Sequence, residues 1–423
     1  MSAKKIQMNL QRKLAKVSFR WYYFNMKKFI LFISILLSAI NLHAKKQKNI
    51  EQIKTQNTIA AEKSINAFDN SLFSQLCNQT ENVNYSAISI YSVLFALYKG
   101  ADSQTQEQIN NAINSDSSED FENQICEILN KTENISNSIW YKKNLKIQNA
   151  YKNFLSNSNF ENKPTDFSKT AKVRKLINSF ISNKTNGLIN NFLSQDLSPL
   201  TQLVLLNTLY FNQKWEKAFE QKQTYEEDFY KDKETRFLVP MMHKSDSFLY
   251  YEEKDFQIIE LEYEQKKADP QNRYSMIIFL PKNINYDFSN ADINGLIEAF
   301  NLQKNYEQVQ LTLPKFDLSG RYDLVPVLQK LGIIDAFSAQ NADFSKIFTN
   351  SKNIFVDTAI HQVRISVNEK ETKAAAVTMI GLKSAGFNPN PKTLFTVDHP
   401  FCYVIRDNQL NINLFTGIIR RPE

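Results

Sequence analysis

Glycine and proline are scarce in this chain, with 8 glycines and 11 prolines among 423 residues. This low content excludes a collagen-like repeat and a low-complexity chain built from these two residues. Hydrophobic residues make up 42% of the sequence, which is enough for a large core. Periodic apolar segments continue from about residue 63 to the end without a long linker, so the sequence predicts one domain over 63–423.

Cysteine is also rare. The three cysteines, Cys77, Cys126 and Cys402, lie far apart and are odd in number. They form neither a disulfide framework nor a metal-ligand spacing, so we expect separate buried thiols. The sequence therefore predicts no metal site and no cofactor.

Motifs that bind phosphate or assemble a catalytic nucleophile are missing from the sequence. It contains no HExxH, GxSxG, GxGxxG or P-loop pattern. After residue 44 the only histidines are His243, His361 and His399. His361 lies in an apolar strand pattern, where a hydrogen-bonded core histidine is a simpler interpretation than a catalytic base. We therefore predict that the protein is not an enzyme.

Acidic residues are absent from the first 44 residues, which carry eight lysines and arginines. Without these charges the net charge changes from +7 to −1. A nearly neutral body has no electrostatic footprint for nucleic acid, so a nucleic-acid partner is not expected.

The segment "MKKFILFISILLSAINLHA", residues 26–44, has the layout of a secretory signal. Two lysines precede a short apolar run, and small residues follow it. We predict a signal region over 1–44, with Met26 as an alternative start and an uncleaved anchor as an alternative fate. Export would place the mature protein outside the cell or in a periplasm, with no membrane contact. A loose polar segment over 45–62 would then precede the domain.

The predicted elements change in kind along the chain. The first half is mostly helical in pattern; for example, Val173, Leu176, Ile177 and Phe180 form one apolar helix face that ends near Gly187. The second half is richer in strands. The run "TQLVLLNTLYF" is apolar on both phases and suits a strand buried on both faces. This order predicts an α+β domain.

Several blocks in sequence order resemble the serpin family of serine protease inhibitors. They are "INSFISNKTNGLI", "LVLLNTLYFNQKWEKAF", "LPKFDLSGRYDLVPVLQKLGIIDAF" and "DHPFCYVIRDNQLNINLFTGIIRRP". The resemblance spans residues 63–423. It implies the serpin fold, with an N-terminal helical region, three β-sheets and an exposed reactive-centre loop over about 369–394.

The resemblance also assigns roles to single residues. It places four of them in the shutter, the polar cluster under the centre of the large sheet: Ser86, Ser89, Asn207 and His361. Trp215 matches the breach, where a new strand would first enter, although plain core burial also explains a tryptophan there. The sequence departs from the family at Ala87, where serpins usually have proline.

In serpins the reactive-centre loop is bait for a protease, and its cleaved N-terminal part inserts into the central sheet. Here the hinge that starts this insertion comprises Glu369, Lys370, Glu371, Thr372, Lys373, Ala374, Ala375 and Ala376. Glu371 stands where inhibitory serpins commonly have glycine, and Lys373 stands where they have an acid. The small residues that rapid insertion requires remain.

The loop has the alternation that a half-buried strand needs. The phase that includes Thr372 and Ala374 is uncharged through Ser384, whereas all the charges fall on the phase of Glu371, Lys373 and Lys383. If the loop became a strand, its uncharged face could be buried while its charged face remained exposed to solvent.

Two counts place the cleaved bond at Ala385–Gly386: the family spacing from Glu369, and the downstream "FNPNP". Leu382 and Lys383 are alternatives. A small residue before the bond suits the shallow pockets of elastase-like or subtilisin-like proteases, whereas Lys383 would attract trypsin-like enzymes. We predict a secreted, monomeric suicide inhibitor of serine proteases, with cysteine proteases as a further target class. A non-inhibitory binding or carrier protein is the alternative.

Overall fold

The computed structural model describes residues 60–77, 80–264, 273–349, 354–372 and 393–423. The predicted signal region and most of the predicted loop lie outside these ranges. Eight α-helices lie within them: α1 (60–76), α2 (Ala87–Gly100), α3 (Ser103–Ala112), α4 (Glu119–Lys131), α5 (Asn149–Asn157), α6 (Thr170–Lys184), α7 (Ile293–Gln303) and α8 (Leu324–Lys330).

Helix α1 begins earlier than the sequence suggested. It includes residues 60–62, which were predicted to belong to the loose segment 45–62. Ala61 is fully buried, and Asn411 donates a hydrogen bond to the carboxylate of Glu62 at 3.1 Å. These contacts with the body of the domain make the three residues part of it.

Strands of the described residues form two sheets. The strands are β1 (Val83–Tyr85), β2 (Ile135–Lys142), β3 (Phe160–Thr165), β4 (Leu203–Tyr210), β5 (Gln213–Lys214), β6 (Thr224–Tyr230), β7 (Arg236–Glu252), β8 (Phe256–Glu262), β9 (Tyr274–Pro281), β10 (Asn305–Pro314), β11 (Phe316–Asp323), β12 (Thr358–Val367), β13 (Glu371–Thr372), β14 (Thr393–Thr396), β15 (Phe401–Asp407) and β16 (Ile412–Ile419).

The seven-stranded sheet has β4 and β12 at its centre. Its order is β3-β2-β4-β12-β13-β5, and β11 pairs with the opposite edge of β12. Strands β4 and β12 are parallel and directly hydrogen-bonded. Every residue of β4 except Tyr210 is buried, which confirms the predicted strand with two buried faces.

The nine-stranded sheet has the order β1-β16-β15-β9-β8-β7-β10-β14, with β6 paired to β7. Strand β7 is 17 residues long and pairs with β6, β8 and β10 along its length. The family resemblance predicts three sheets, whereas the described residues form two. The long strand β7 joins two of the expected sheets into one. The α+β serpin architecture itself is confirmed.

Two helices cover opposite faces of the central β4–β12 pair. Helix α2 lies between the two sheets, where it contacts β2, β4 and β16 and buries every residue except Lys99. On the other face, α6 packs Ile177 and Ile181 against Leu206 and Ile360 in a separate hydrophobic cluster. Leu176 of α6 is 53% exposed, so its predicted place on the buried face was wrong.

All three cysteines are free thiols, with Cys77 and Cys402 buried and Cys126 half-buried. Within the described ranges, no cluster of three or more His, Cys, Asp or Glu side chains is arranged to hold a metal ion. None of the helices described above is long and apolar enough to cross a membrane.

Candidate functional site

The four residues assigned to the shutter meet in one buried cluster. Ser86 precedes α2 and caps it by accepting a hydrogen bond from the Ser89 amide at 3.3 Å. The Ser86 amide donates to Nε2 of His361 at 3.0 Å, and the Ser89 hydroxyl donates to Oδ1 of Asn207. The first turn of α2 is therefore bonded to both central strands.

The sheet extends this cluster into a row across four strands. Asn137 of β2, Asn207 of β4, His361 of β12 and Tyr322 of β11 occupy matching register positions. Asn207 donates to Oδ1 of Asn137, and the rings of Tyr322 and His361 lie 6.4 Å apart and nearly parallel. The polar row thus ties together the strands on both sides of the β4–β12 pair.

Sequence reasoning missed Asn137, Ser92 and Tyr322. The hydroxyl of Ser92 donates to Oδ1 of Asn137 at 2.9 Å. Ser92 follows Ser89 by three residues and so lies on the same helix face, a signal that could have revealed it. Asn137 carried no such signal, because the polar run "ENISNS" is also typical of an exposed loop.

His361 is fully buried, and burial lowers its pKa to about 3. The neutral ring accepts at Nε2, so its proton lies on Nδ1. Nδ1 has no hydrogen-bond partner among the described residues. His361 is therefore a neutral core histidine that connects α2 to β12.

Trp215 lies at one end of the β4–β12 pair and is 4% exposed. Its ring stacks on Tyr263, with centroids 4.5 Å apart and an interplanar angle of 12°. Its indole Nε1 donates to the carbonyl of Asn368 at 2.8 Å. Trp215 is thus both a core residue and a direct contact of the chain that leaves β12.

The segment 215–219, which we call the breach segment, holds the root of the predicted loop. The Trp215 amide donates to the carbonyl of Lys370 at 3.2 Å, and the Phe219 amide donates to that of Glu369 at 2.7 Å. With the indole bond to Asn368, three consecutive carbonyls are held. Glu369 and Lys370 are therefore fixed to the body of the domain.

The side chain of Glu369 is also anchored. The residue is 7% exposed, and its carboxylate lies 3.1 Å from Nζ of Lys315. Burial opposes ionisation of Glu369, but hydrogen bonds from its own amide and from Lys315 outweigh it, so the pKa lies below its ordinary value. The sequence offered no reason to pair Lys315 with this hinge residue.

The described hinge continues as β13, which runs antiparallel to both of its neighbours. Thr372 is paired with Val367 of β12 on one side and with Gln213 of β5 on the other. Glu371 is paired with Lys214. The hinge residues Lys373, Ala374, Ala375 and Ala376 and the predicted cleaved bond Ala385–Gly386 lie outside the described residues.

A histidine with a hydroxyl and a carboxylate beside it occurs away from this cluster. Nδ1 of His243 lies 3.2 Å from the Thr312 hydroxyl, and Nε2 lies 3.3 Å from Glu227. Thr312 is only 5% exposed within β10, so its hydroxyl is not presented to a substrate. The ring of Tyr225 also covers His243, with centroids 4.3 Å apart.

Comparison with known proteins bears on the whole domain. The family model described as serpin (serine protease inhibitor) matches residues 63–422. Human serpin B8 is 32% identical over 82% of this chain and 94% of its own length. Intracellular coagulation inhibitor 2 of Tachypleus tridentatus is 29% identical, over 84% of this chain and 90% of its own length.

The fold agrees with a solved structure of the same family. Human thyroxine-binding globulin, complexed with thyroxine, superposes with a TM-score of 0.76. The match covers 86% of this chain and 99% of that one, at 26% identity. The family match over most of the chain and the common fold lead to one conclusion: this chain belongs to the serpin family.

Proposed function

We propose that this protein inhibits serine proteases by presenting its loop as a substrate and then inserting the cleaved loop into the seven-stranded sheet. The observation that carries the proposal is the position of β13. The root of the loop already runs antiparallel between β12 and β5, at the end of a parallel pair that has no strand between its members. Continuation of β13 along this path would separate β4 from β12.

Backbone hydrogen bonding favours such an insertion. The parallel β4–β12 pair would be replaced by two antiparallel pairs, one on each side of the new strand. Antiparallel pairing is slightly more stable per residue than parallel pairing, and the number of strand–strand contacts doubles. The uncharged phase that begins at Thr372 would supply the buried face of the strand.

The cleaved bond is proposed to be Ala385–Gly386. The 14 residues from Thr372 to Ala385 exceed the 10 residues of β12, so the freed segment could extend along the full strand. Cleavage at Leu382 or Lys383 would shorten it. A small residue before the bond favours elastase-like or subtilisin-like proteases as targets.

Secretion rests on the N-terminal pattern alone. The signal-like segment supports export to an extracellular or periplasmic location, where the protein is proposed to act as a monomer. The comparisons do not add to this, since one relative is by name an intracellular inhibitor.

A carrier function is the second candidate, and the structural likeness to thyroxine-binding globulin favours it. The two functions differ in whether the loop must insert. A carrier that lacks insertion would be cut by proteases without trapping them.

Incubation with a panel of elastase-, subtilisin-, trypsin- and papain-like proteases tests the proposal. We expect complexes that survive SDS, together with a released C-terminal peptide that begins at Gly386. Loop cleavage without any stable complex across the panel would favour the carrier function instead.

A further inference from the structure

A polar cleft lies beside the central sheet, where β2 and β3 begin and where β4 and α6 end. Its cavity volume is about 180 Å³, which is smaller than the usual drug-sized site and leaves room for one small molecule. Its neutral polar lining includes Asn134, Ser136, Asn137 and Asn159, and Tyr210 forms an aromatic wall. None of its lining residues belongs to the breach segment or to the described hinge residues 369–372.

Asn137 forms the deepest polar part of the cleft. Asn137 is 2% exposed, and its Oδ1 accepts hydrogen bonds from Ser92 and Asn207. The bond from Asn207, whose own Oδ1 accepts from Ser89, fixes the orientation of the amide, so Nδ2 is the group left to face the cleft. Nδ2 has no hydrogen-bond partner among the described residues. A donor held at the bottom of a cleft in this way can be satisfied by water or by an acceptor atom of a bound molecule.

The charged groups of the cleft neutralise one another. Glu161 pairs with Lys184 at 2.6 Å and also contacts Lys163. What remains are neutral groups: Asn134, Ser136 and Asn159 have side chains that make no hydrogen bond within the described part of the chain. Amides and hydroxyls both donate and accept, so they match hydroxyl groups rather than a net charge.

The aromatic wall completes this chemistry. The hydroxyl of Tyr210 accepts a hydrogen bond from Asn186 at 3.0 Å, which holds the ring in place at the cleft. A flat ring beside several amides suits a ligand with one apolar C–H face and several hydroxyls. We propose that the cleft binds an uncharged polyhydroxylated molecule of monosaccharide size.

Occupancy of the cleft would be linked to the central sheet. Asn137 is bonded to Asn207, which lies opposite His361 across the β4–β12 pair. The ligand would also bridge β4, through Tyr210, to α6, through Lys184. A molecule that binds the native state but not the unfolded chain raises the unfolding temperature in a saturable way.

The test titrates the full-length protein with D-glucose, D-galactose and D-mannose at millimolar concentration. Thermal unfolding and ligand-observed NMR are the two measurements. Sugars excluded from the protein surface stabilise any protein, but that effect does not saturate and is alike for isomers. We expect a saturable shift that differs among the three hexoses, with saturation-transfer signals from the best one.

Two asparagines allow a variant that preserves the fold. Asn134 and Asn159 have φ angles of 63° and 57°, which glycine adopts freely. The double variant Asn134→Gly with Asn159→Gly should bind about tenfold more weakly, because it loses two side-chain hydrogen bonds. Asn114→Gly, at φ 50° on an exposed site outside the cleft, is the matched control and should bind normally.

The proposal fails if none of the three hexoses gives a saturable shift, or if the double variant binds as well as Asn114→Gly. No protease is present in these measurements. Their outcome is therefore independent of whether the protein is an inhibitor.

Discussion

Asn207 and His361 lie directly opposite each other across the parallel strands β4 and β12. Each is bonded to the first turn of α2, Asn207 through the Ser89 hydroxyl and His361 through the Ser86 amide. The start of α2 therefore bridges the two strands that would have to separate for a new strand to enter. These hydrogen bonds stabilise the sheet while β4 and β12 are paired. The same polar groups could form new hydrogen bonds after the two strands separate.

A disulfide between β4 and β12 should abolish inhibition. Thr208 and Gln362 are paired in register, and neighbouring strands bring Cα atoms to about 5 Å, which a disulfide can span. Neither the Thr208 hydroxyl nor the Gln362 side-chain oxygen has a hydrogen-bond partner within the described residues, so the substitution breaks none. The oxidised Thr208→Cys, Gln362→Cys variant should be cleaved without forming SDS-stable complexes, and reduction should restore them.

Thr208→Cys alone is the control for this lock and should inhibit in both redox states. Stable complexes formed by the oxidised double variant would mean that β4 and β12 need not separate.

Thr372→Arg should convert the protein from an inhibitor into a substrate. Position 372 is paired with Val367, which is buried, so insertion would carry the new charge into the sheet without a partner. The moles of inhibitor consumed per mole of protease inactivated should rise by about tenfold or more. Glu371 lies on the opposite, charged face of the strand, so the Glu371→Gly variant is the matched control. It should inhibit at least as well as the parent. Equal inhibition by Thr372→Arg would show that the phase is assigned wrongly.

Acidification should destabilise the native state through His361. Its pKa is about 3 when folded and 6.5 when unfolded, so between these values only the unfolded chain gains the proton. This contribution to stability is complete above pH 6.5 and is lost as the pH falls, by about 2 kcal/mol at pH 5. Urea unfolding at pH values from 7.5 to 5 should show that the free energy of unfolding falls less steeply in His361→Gln than in the parent. Identical slopes would exclude His361 as the source.

Ala385→Arg should redirect the inhibitor towards trypsin-like proteases. A cation before the cleaved bond pairs with the buried carboxylate of their pocket, whereas alanine leaves that carboxylate unpaired. The parent should form stable complexes with elastase-like or subtilisin-like enzymes and be mainly turned over by trypsin. Mass spectrometry of the released C-terminal peptide identifies the bond that the protease cleaves. A peptide beginning at Ser384 from a stable trypsin complex would overturn both the bond and the selectivity.

The sequence was most informative where a local pattern is dictated by burial. The doubly apolar run around Leu203–Tyr210 suits a strand buried on both faces, and the structure places it at the centre of the sheet. The family resemblance selected Ser86, Ser89, Asn207 and His361, which the fold brings together.

Contacts between distant segments were beyond the reach of sequence patterns. Asn137 joins the polar row only because β2 pairs with β4 in one particular register. Lys315 reaches Glu369 from a position 54 residues away, and nothing local distinguishes it from an exposed lysine. Leu176 fitted the apolar spacing of α6, yet the buried stripe of the helix follows Val173, Ile177 and Ile181, and Leu176 is exposed.

The most direct test of the account compares the stability of the protein before and after one cut in the loop. The chain is nicked with a catalytic amount of an elastase-like protease, purified, and unfolded in guanidinium chloride beside the intact protein. Insertion adds a strand between β4 and β12, so we expect the unfolding midpoint to rise by on the order of 1 M or more. An unchanged midpoint in the cleaved protein would contradict insertion and, with it, the proposed inhibitory mechanism.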